Sequence, residues 1–594
     1  DMVAAGDLPP VEERLPAEPL VEEVVDEIGQ YGGTLRRAFL GPSDHNNYTR
    51  VVYDALVRFS PTGSEVIPHI ASGWESNEDF SEWTVRLRPG AKWSDGEDFT
   101  ADDIMFWYND ILLNGELTPS VSVWMQNPDG STATVEKVSD YAVKWTFAGP
   151  NTAFLLDLAN KDGADAAINN LAFVPAHYME QFHPNYTDQA ELDAKVAEAG
   201  YDNWTELFAV EALPQLSGNR PSMAAWVPDG TSVSDEVFVI KRNPYYVGVD
   251  PAGNQLPYVD EVRFTFFADK ETLNLAAVAG EIDMQGRHIN MSSYPVLKQN
   301  EAEGNYRVVT WPTFGGSDAV VMLNQTWPGP EGEMFRNKDF RIALSHAIDR
   351  EAIKELAFFG IGEARQGVPA PFHPYYPGDE WAFKYTEYNP DLSNQILDEV
   401  LPNKDAEGFR TLPDGSPLDI EISVVPQFAN WPDIAQLIVE NWADIGVRAH
   451  VELRERSLHF AMRPANELMA EIWNEDTTGF PFSGQPKFDP RSDPALTFAP
   501  LYGKWYTSGG AEGLEPPDDI KQIVDILDEA KVSPRGRQIE LAQELFRLWA
   551  DNVWEIGTVG LTPSVQGVVV VNANLRNVPE VAGNDWPLRT PGNT

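Results

Sequence analysis

The chain has 594 residues, more than one hydrophobic core ordinarily serves, so several domains are expected. A hydrophobic fraction of 42% with 18 Trp excludes a disordered polypeptide, and 43 Lys+Arg against 92 Asp+Glu leave a formal charge of −49, which repels nucleic acid and anionic membranes. With no Cys, disulfides and thiol chemistry are excluded, and a metal would fall to His and carboxylates alone. Such a charge suits a salty medium that screens self-repulsion. No run of about 18 apolar residues is present, so no membrane-spanning helix is predicted. The start at Asp1-Met2 lacks a basic and then apolar leader, which fits either a cytosolic protein or one whose signal peptide has been removed.

Residues 1–30 carry Pro9, Pro10, Pro16 and Pro19 and the acids Glu22, Glu23, Asp26 and Glu27, the composition of a disordered leader or tether. Tyr31 to Arg36 opens the body with a Gly pair and a short strand. Gly41 to Asn47 is a polar loop, and Tyr48 to Val57 is predicted as helical. Trp83 to Leu87 alternates apolar and polar as a strand does. Pro89-Gly90 and Asp95-Gly96 break the chain, and Thr100 is an N-cap with Asp102 and Asp103 on the favourable end of the helix dipole. That helix carries Ile104, Met105, Trp107, Tyr108, Ile111 and Leu112. Further strands are predicted at Val143–Phe147, Val237–Ile240, Val262–Phe266, Val320–Asn324, up to Leu453, and Val568–Val571. Helices are predicted from Phe154, after Val174, over Asp188–Ala199, Leu273–Ala279, Glu351–Phe359 with Asp349 as cap, Pro432–Ile445, 518–531 and 534–552.

Some of these residues form a pattern. Trp93, Ser94, Asp95, Gly96, Phe99, Thr100, Ala101, Asp102 and Asp103, and the run Asp339 to Arg350, resemble signatures of the extracytoplasmic solute-binding proteins of ABC importers, the oligopeptide-binding-like family 5. Pro68 to Trp74, Asn243 to Tyr246 and Gly280 to Asp283 follow in that family's order, and Tyr31 to Asn47 looks like its galactoside-type branch. The resemblance implies an α/β periplasmic-binding-protein type II fold of the large cluster, with two lobes, an extra subdomain and a hinge of two segments near 308–312 and 553–558. It implies a tether at 1–30, a discontinuous lobe I at 31–60, 206–308 and 556–594, subdomain Ib at 61–205 and lobe II at 309–555. It also implies a monomer outside the cytoplasm, free or lipid-anchored, that is not an enzyme, carries no cofactor or metal, and delivers a ligand to permease subunits.

Three stretches are chemically rich. Ala470 to Phe482 holds Trp473, Asn474, Glu475 and Asp476, and Gly479 and Pro481 mark it as a loop. In peptide-binding relatives a W-x-x-D-Y-x-D-P loop pairs an aspartate with the ligand's amino terminus; here Trp473 and Asp476 match, and Thr477, Thr478 and Gly479 replace the rest. Pro426 to Pro432 places Phe428, Asn430 and Trp431 before a helix, where they either meet a sugar or staple the helix start. The third set is dispersed: Ser43, Asp44, Asn46 and Asn47, then Arg287 and His288, then Trp311 and Phe314 at the first crossing. His288 reads as a structural hydrogen-bonder, and Arg287 as the partner of either a ligand carboxylate or a neighbouring acid.

The expected function is capture of a small oligomer, an oligosaccharide first and a peptide second. A glycoside hydrolase is the alternative from another class, resting on Glu471, Glu475 and Asp476 beside aromatic residues. No nucleophilic-serine elbow, P-loop or dinucleotide fingerprint is present.

Overall fold

The computed structural model describes residues 2–41, 44, 46–52, 54–127, 130–160, 171–426, 429–475, 477–482, 487–491 and 497–585. Two bodies are built on separate sheets. The first holds a four-stranded sheet in the order Thr34–Phe39, Glu261–Phe266, Val237–Arg242, Trp226–Pro228. It also holds a three-stranded sheet with Val568–Asn572 between Met284–Gln285 and Tyr306–Thr310. The second is a five-stranded sheet in the order Arg448–Leu453, Asp419–Val424, Ala470–Glu475, Ser317–Leu323, Glu555–Gly557. Ser317–Leu323 is buried at every residue between two neighbours, as a central strand covered on both faces must be. Helices Lys338–His346 and Trp431–Asp444 bury Phe340, Leu344, Trp431, Ile434 and Trp442 against it.

An antiparallel sheet of Ala71–Ser76, Glu82–Leu87, Ala142–Thr146 and Thr134–Ser139 carries the predicted strand, with Trp83 opposite Trp145. It shares one continuous core with the four-stranded sheet, including Trp93, Trp107, Phe238 and Phe264. The helix after it starts at Ala101. Thr100 Oγ1 accepts from Asp102 N (3.2 Å), and the Asp103 carboxylate accepts from Thr100 N (2.9 Å). This is a reciprocal capping box. Past Phe106 the helix widens into a π-helical stretch, Trp107–Leu112, and Trp107 stacks on Trp124 at 5.7 Å.

Four expectations need correction. Residues 2–30 are not a free leader: Leu20–Val21 pairs in parallel with Gly248–Val249, Glu22 meets Arg58, and Asp26 N donates to Asn577 Oδ1. Tyr48–Val57 is not a helix; helix Asn46–Thr49 ends early, and Val57–Phe59 pairs with Val66–Pro68. Both connections between the bodies move towards the carboxyl terminus. The chain leaves the three-stranded sheet after Thr310 and enters the five-stranded sheet at Ser317; it returns between Gly560 and Val568. The stretch 553–558 therefore belongs to the second body, because Glu555–Gly557 is one of its strands. Finally, Ala470–Glu475 is strand, not loop, and lies between Asp419–Val424 and Ser317–Leu323.

Candidate functional site

Strands Asp419–Val424, Arg448–Leu453 and Ala470–Glu475 run parallel, so their carboxyl ends share one edge of the sheet. Glu475 at that edge pairs with Ser317, the first strand residue after the first crossing. The edge therefore looks toward the crossings and the first body. Carboxyl ends of strands are where open α/β sheets gather ligands. Three segments leave it: the turn before Trp431, the turn into helix Arg456–Met462, and the loop after Glu475.

Trp473 stands on this edge, half-buried. Its ring lies 4.8 Å from Trp431, is stacked by His459 at 5.9 Å and 17°, and has the Arg463 guanidinium 4.6 Å away. A sealed charge network sits behind it. His459 Nε2 lies 2.6 Å from Glu471 Oε2, Arg463 Nε donates to the same oxygen (2.9 Å), and Ser423 Oγ lies 3.1 Å from His459 Nδ1. Burial alone would push the Glu471 carboxyl up, but the Arg463 charge and the His459 hydrogen bond hold it at about 2. Ser423, His459 and Glu471 have no exposed surface, so this row orders the strand and reaches no substrate.

Beside it is a second acid pair. Glu475 Oε1 accepts from Thr477 N (2.9 Å) and Thr477 Oγ1 (2.7 Å). Burial first, and then the Glu475 charge, raise the Glu555 carboxyl well above its ordinary range. Only glycine fits at Gly367, because a Cβ there would stand 1.9 Å from Glu555 Oε1.

In the first body the dispersed residues come together. Asp44 accepts from Leu40 N (3.0 Å), Asn47 Nδ2 (2.6 Å) and Arg287 Nε (2.5 Å), and His288 Nε2 lies 2.9 Å from it. Burial disfavours the Asp44 charge, but the His288 hydrogen bond and the Arg287 charge hold its pKa at about 2. His288 lies below its ordinary range through burial, which outweighs the pull of Asp44. Gln285 Nε2 donates to Asn47 Oδ1 (3.0 Å). Gln566, on the second crossing, accepts at Oε1 from Arg50 Nη2 (2.6 Å) and Arg287 Nη1 (3.3 Å).

The remaining predicted residues separate. Trp311 Nε1 donates to Pro579 O (3.0 Å), and Phe314 packs edge-on against Phe372 at 4.6 Å. Asn430 Nδ2 donates to Ala357 O (2.7 Å). Trp431 has no exposed surface and donates to Asp318 O (2.9 Å), so it packs as a core residue with no face left for a ligand; the staple is the role its burial fits. Asn474 is almost fully buried, with its carbonyl taken by Lys487 Nζ. Ser43, Phe428 and Asp476 lie outside the described residues, as does the side chain of Asn46. Sequence reasoning did not single out Arg50, Arg456 or Gln566. No periodicity marks them, and Gln566 lies 279 residues from Arg287. Among the described residues no group of three His, Asp or Glu is placed to hold a metal, and no helix is long and apolar enough to cross a membrane.

Known proteins with this arrangement of sheets are solute-binding proteins. A structure of an oligopeptide-binding protein OppA matches with TM-score 0.81 and 36% identity over 99% of this chain and 94% of that one. MelB of Agrobacterium fabrum C58, solved with stachyose, matches with TM-score 0.68 and 23% identity over 99% and 88%. By sequence, the periplasmic alpha-galactoside-binding protein of Rhizobium meliloti strain 1021 is 27% identical over 627 residues, covering 97% of this chain and 83% of that one. This chain belongs to the bacterial extracellular solute-binding proteins, family 5, whose middle region matches residues 65–494. It is a substrate-binding protein of an ABC importer.

Proposed function

We propose that the chain captures a small oligosaccharide by closing two lobes, the bodies described above, around it, and presents the closed form to the permease. The observation that carries this reading is the Trp473 ring, fixed at the carboxyl end of a central strand by His459 and Arg463. A rigid aromatic plate suits the C–H faces of a sugar and loses little entropy on binding. The relationship to the alpha-galactoside-binding protein supports the same choice. Thr477 folds back onto Glu475, so Oε1 of that carboxylate already accepts two hydrogen bonds. The crossings at 311–316 and 561–567 are the hinge in this reading. Ligand contacts available in both lobes only when closed shift the population to the closed form.

Peptide is the second reading, favoured by the 36% identity to an oligopeptide-binding protein. Titration with raffinose-type sugars and with tri- to pentapeptides, followed by Trp fluorescence and melting temperature, decides between them. The expected result is a saturable response to sugar; a response to peptides alone overturns the choice.

A further inference from the structure

The two bodies meet at a further place besides the crossings. Thr152 belongs to the first body, just before helix Phe154–Ala159, whose Phe154 and Leu158 share a core with Trp83. Helix Arg535–Asn552 belongs to the second: it leads into strand Glu555–Gly557, and its Asp551 pairs with Lys338 (2.5 Å). Helix Asp518–Lys531 packs on it, with Ile523 and Leu527 in the core that holds Leu541 and Leu545. A helix leaves its last carbonyls without an intrahelical donor. Here the donor comes from the other body. Lys531 O accepts from Thr152 N (3.0 Å) and from Thr152 Oγ1 (2.9 Å). Gln538 Nε2 in turn donates to Thr152 Oγ1 (2.8 Å). Two further contacts join the bodies. Arg535 Nη2 donates to Ser64 O (3.0 Å), in the turn between strands Val57–Phe59 and Val66–Pro68, while its Nη1 donates to the Tyr375 hydroxyl. The Phe480 ring stands edge-on to Phe59 at 4.8 Å, buried within the first body's core.

None of these residues lies on a crossing, and every partner is a group of the chain itself. Parting the bodies at this place exchanges each hydrogen bond for one to water, at a small net cost, and returns the Phe480 ring to solvent. Phe480 also lies on the loop that leaves Glu475, so the segment beside the candidate ligand edge is itself part of the contact. Resting on the two-lobe reading above, we propose that Thr152, Arg535 and Phe480 form a latch that favours the closed form before any solute arrives. The solute's own contacts then add to a closure already populated, instead of supplying all of it.

The absence of Cys lets one spin label be placed on each body, at Glu271→Cys and Glu440→Cys, both exposed. Double electron–electron resonance reads the distance between them in the full chain. Without added solute a single distance should dominate, with an open, longer-distance fraction of at most about 10%. Thr152→Val combined with Arg535→Gln should raise that fraction at least about threefold. Thr152→Ser, which keeps the hydroxyl, should leave it unchanged, and Phe480→Ala should raise it. An unliganded wild type that is mostly open overturns the latch. So does a distribution that the double variant and Phe480→Ala both leave as in wild type. In that case a distance that still changes with raffinose or a tripeptide leaves closure on the solute standing; a distance that no variant, sugar or peptide changes overturns the two-lobe reading as well.

Discussion

Glu475 and Glu555 are the residues with most to lose in the folded state. Both are sealed from solvent, and the Glu555 pKa is raised above its ordinary 4.5 by burial and by Glu475. The folded chain therefore holds a proton at Glu555 that the unfolded chain releases. The stability this supplies is complete below about pH 4.5 and falls as pH rises through the folded value. Asp44 and Glu471 act in the opposite sense. Their folded values of about 2 lie below the ordinary 3.8 and 4.5, so their contribution is present above those values and is lost as pH falls toward 2. Glu555→Gln should leave the acid limb unchanged and flatten the decline above about pH 5. Melting temperature measured from pH 3 to 9 checks this, and an unaltered alkaline limb would count against it.

At the scale of elements, one buried carboxylate joins the two crossings. Asp318 Oδ1 accepts from Thr313 Oγ1 (2.6 Å) and Oδ2 from Thr562 N (2.8 Å), which ties the two segments to one strand. Asp318→Asn exchanges one acceptor for a donor in a buried place, and should cost about 1–3 kcal/mol in urea unfolding. A loss below about 0.5 kcal/mol would mean that another acceptor serves the displaced donor. The elements legible in sequence were those whose pattern is local. The strand around Trp83 showed its alternation, and Thr100 and Asp349 carried their caps beside them. Ala470–Glu475 was misread because Glu471, Asn474 and Glu475 look like surface residues. Glu471 is buried with His459 and Arg463 paired to it, and Glu475 with Thr477 folded back onto it, pairings that strand periodicity cannot reveal. Asp44 and Arg287 were both named as candidates, but nothing in a linear reading joined residues 243 apart. The leader was misjudged because its Pro and Glu content resembles disorder, whereas its backbone finds a strand partner at Gly248–Val249.

At the scale of the whole molecule, a charge of −49 works against compaction. Salt should therefore stabilise this protein beyond the specific effect of any ion. Raising NaCl from about 10 to 150 mM shortens the screening length from roughly 30 to 8 Å and should raise the melting temperature by several degrees. Equal gains with KCl and NaCl would mark screening, and a gain confined to one cation would not.

Strand Val568–Asn572 lies in the middle of its sheet, hydrogen-bonded on both sides to segments made more than 250 residues earlier. Val569 and Val570 close ladders begun by Tyr306–Thr310 and Met284–Gln285. During synthesis, that sheet has a slot at its centre until residues 568–572 have been added. A nascent or truncated polypeptide can pack its other parts, but it leaves unpaired the two strand edges that Val568–Asn572 fills in the finished sheet. Proteolytic cleavage before Val568 would thus undo a region assembled from much earlier sequence.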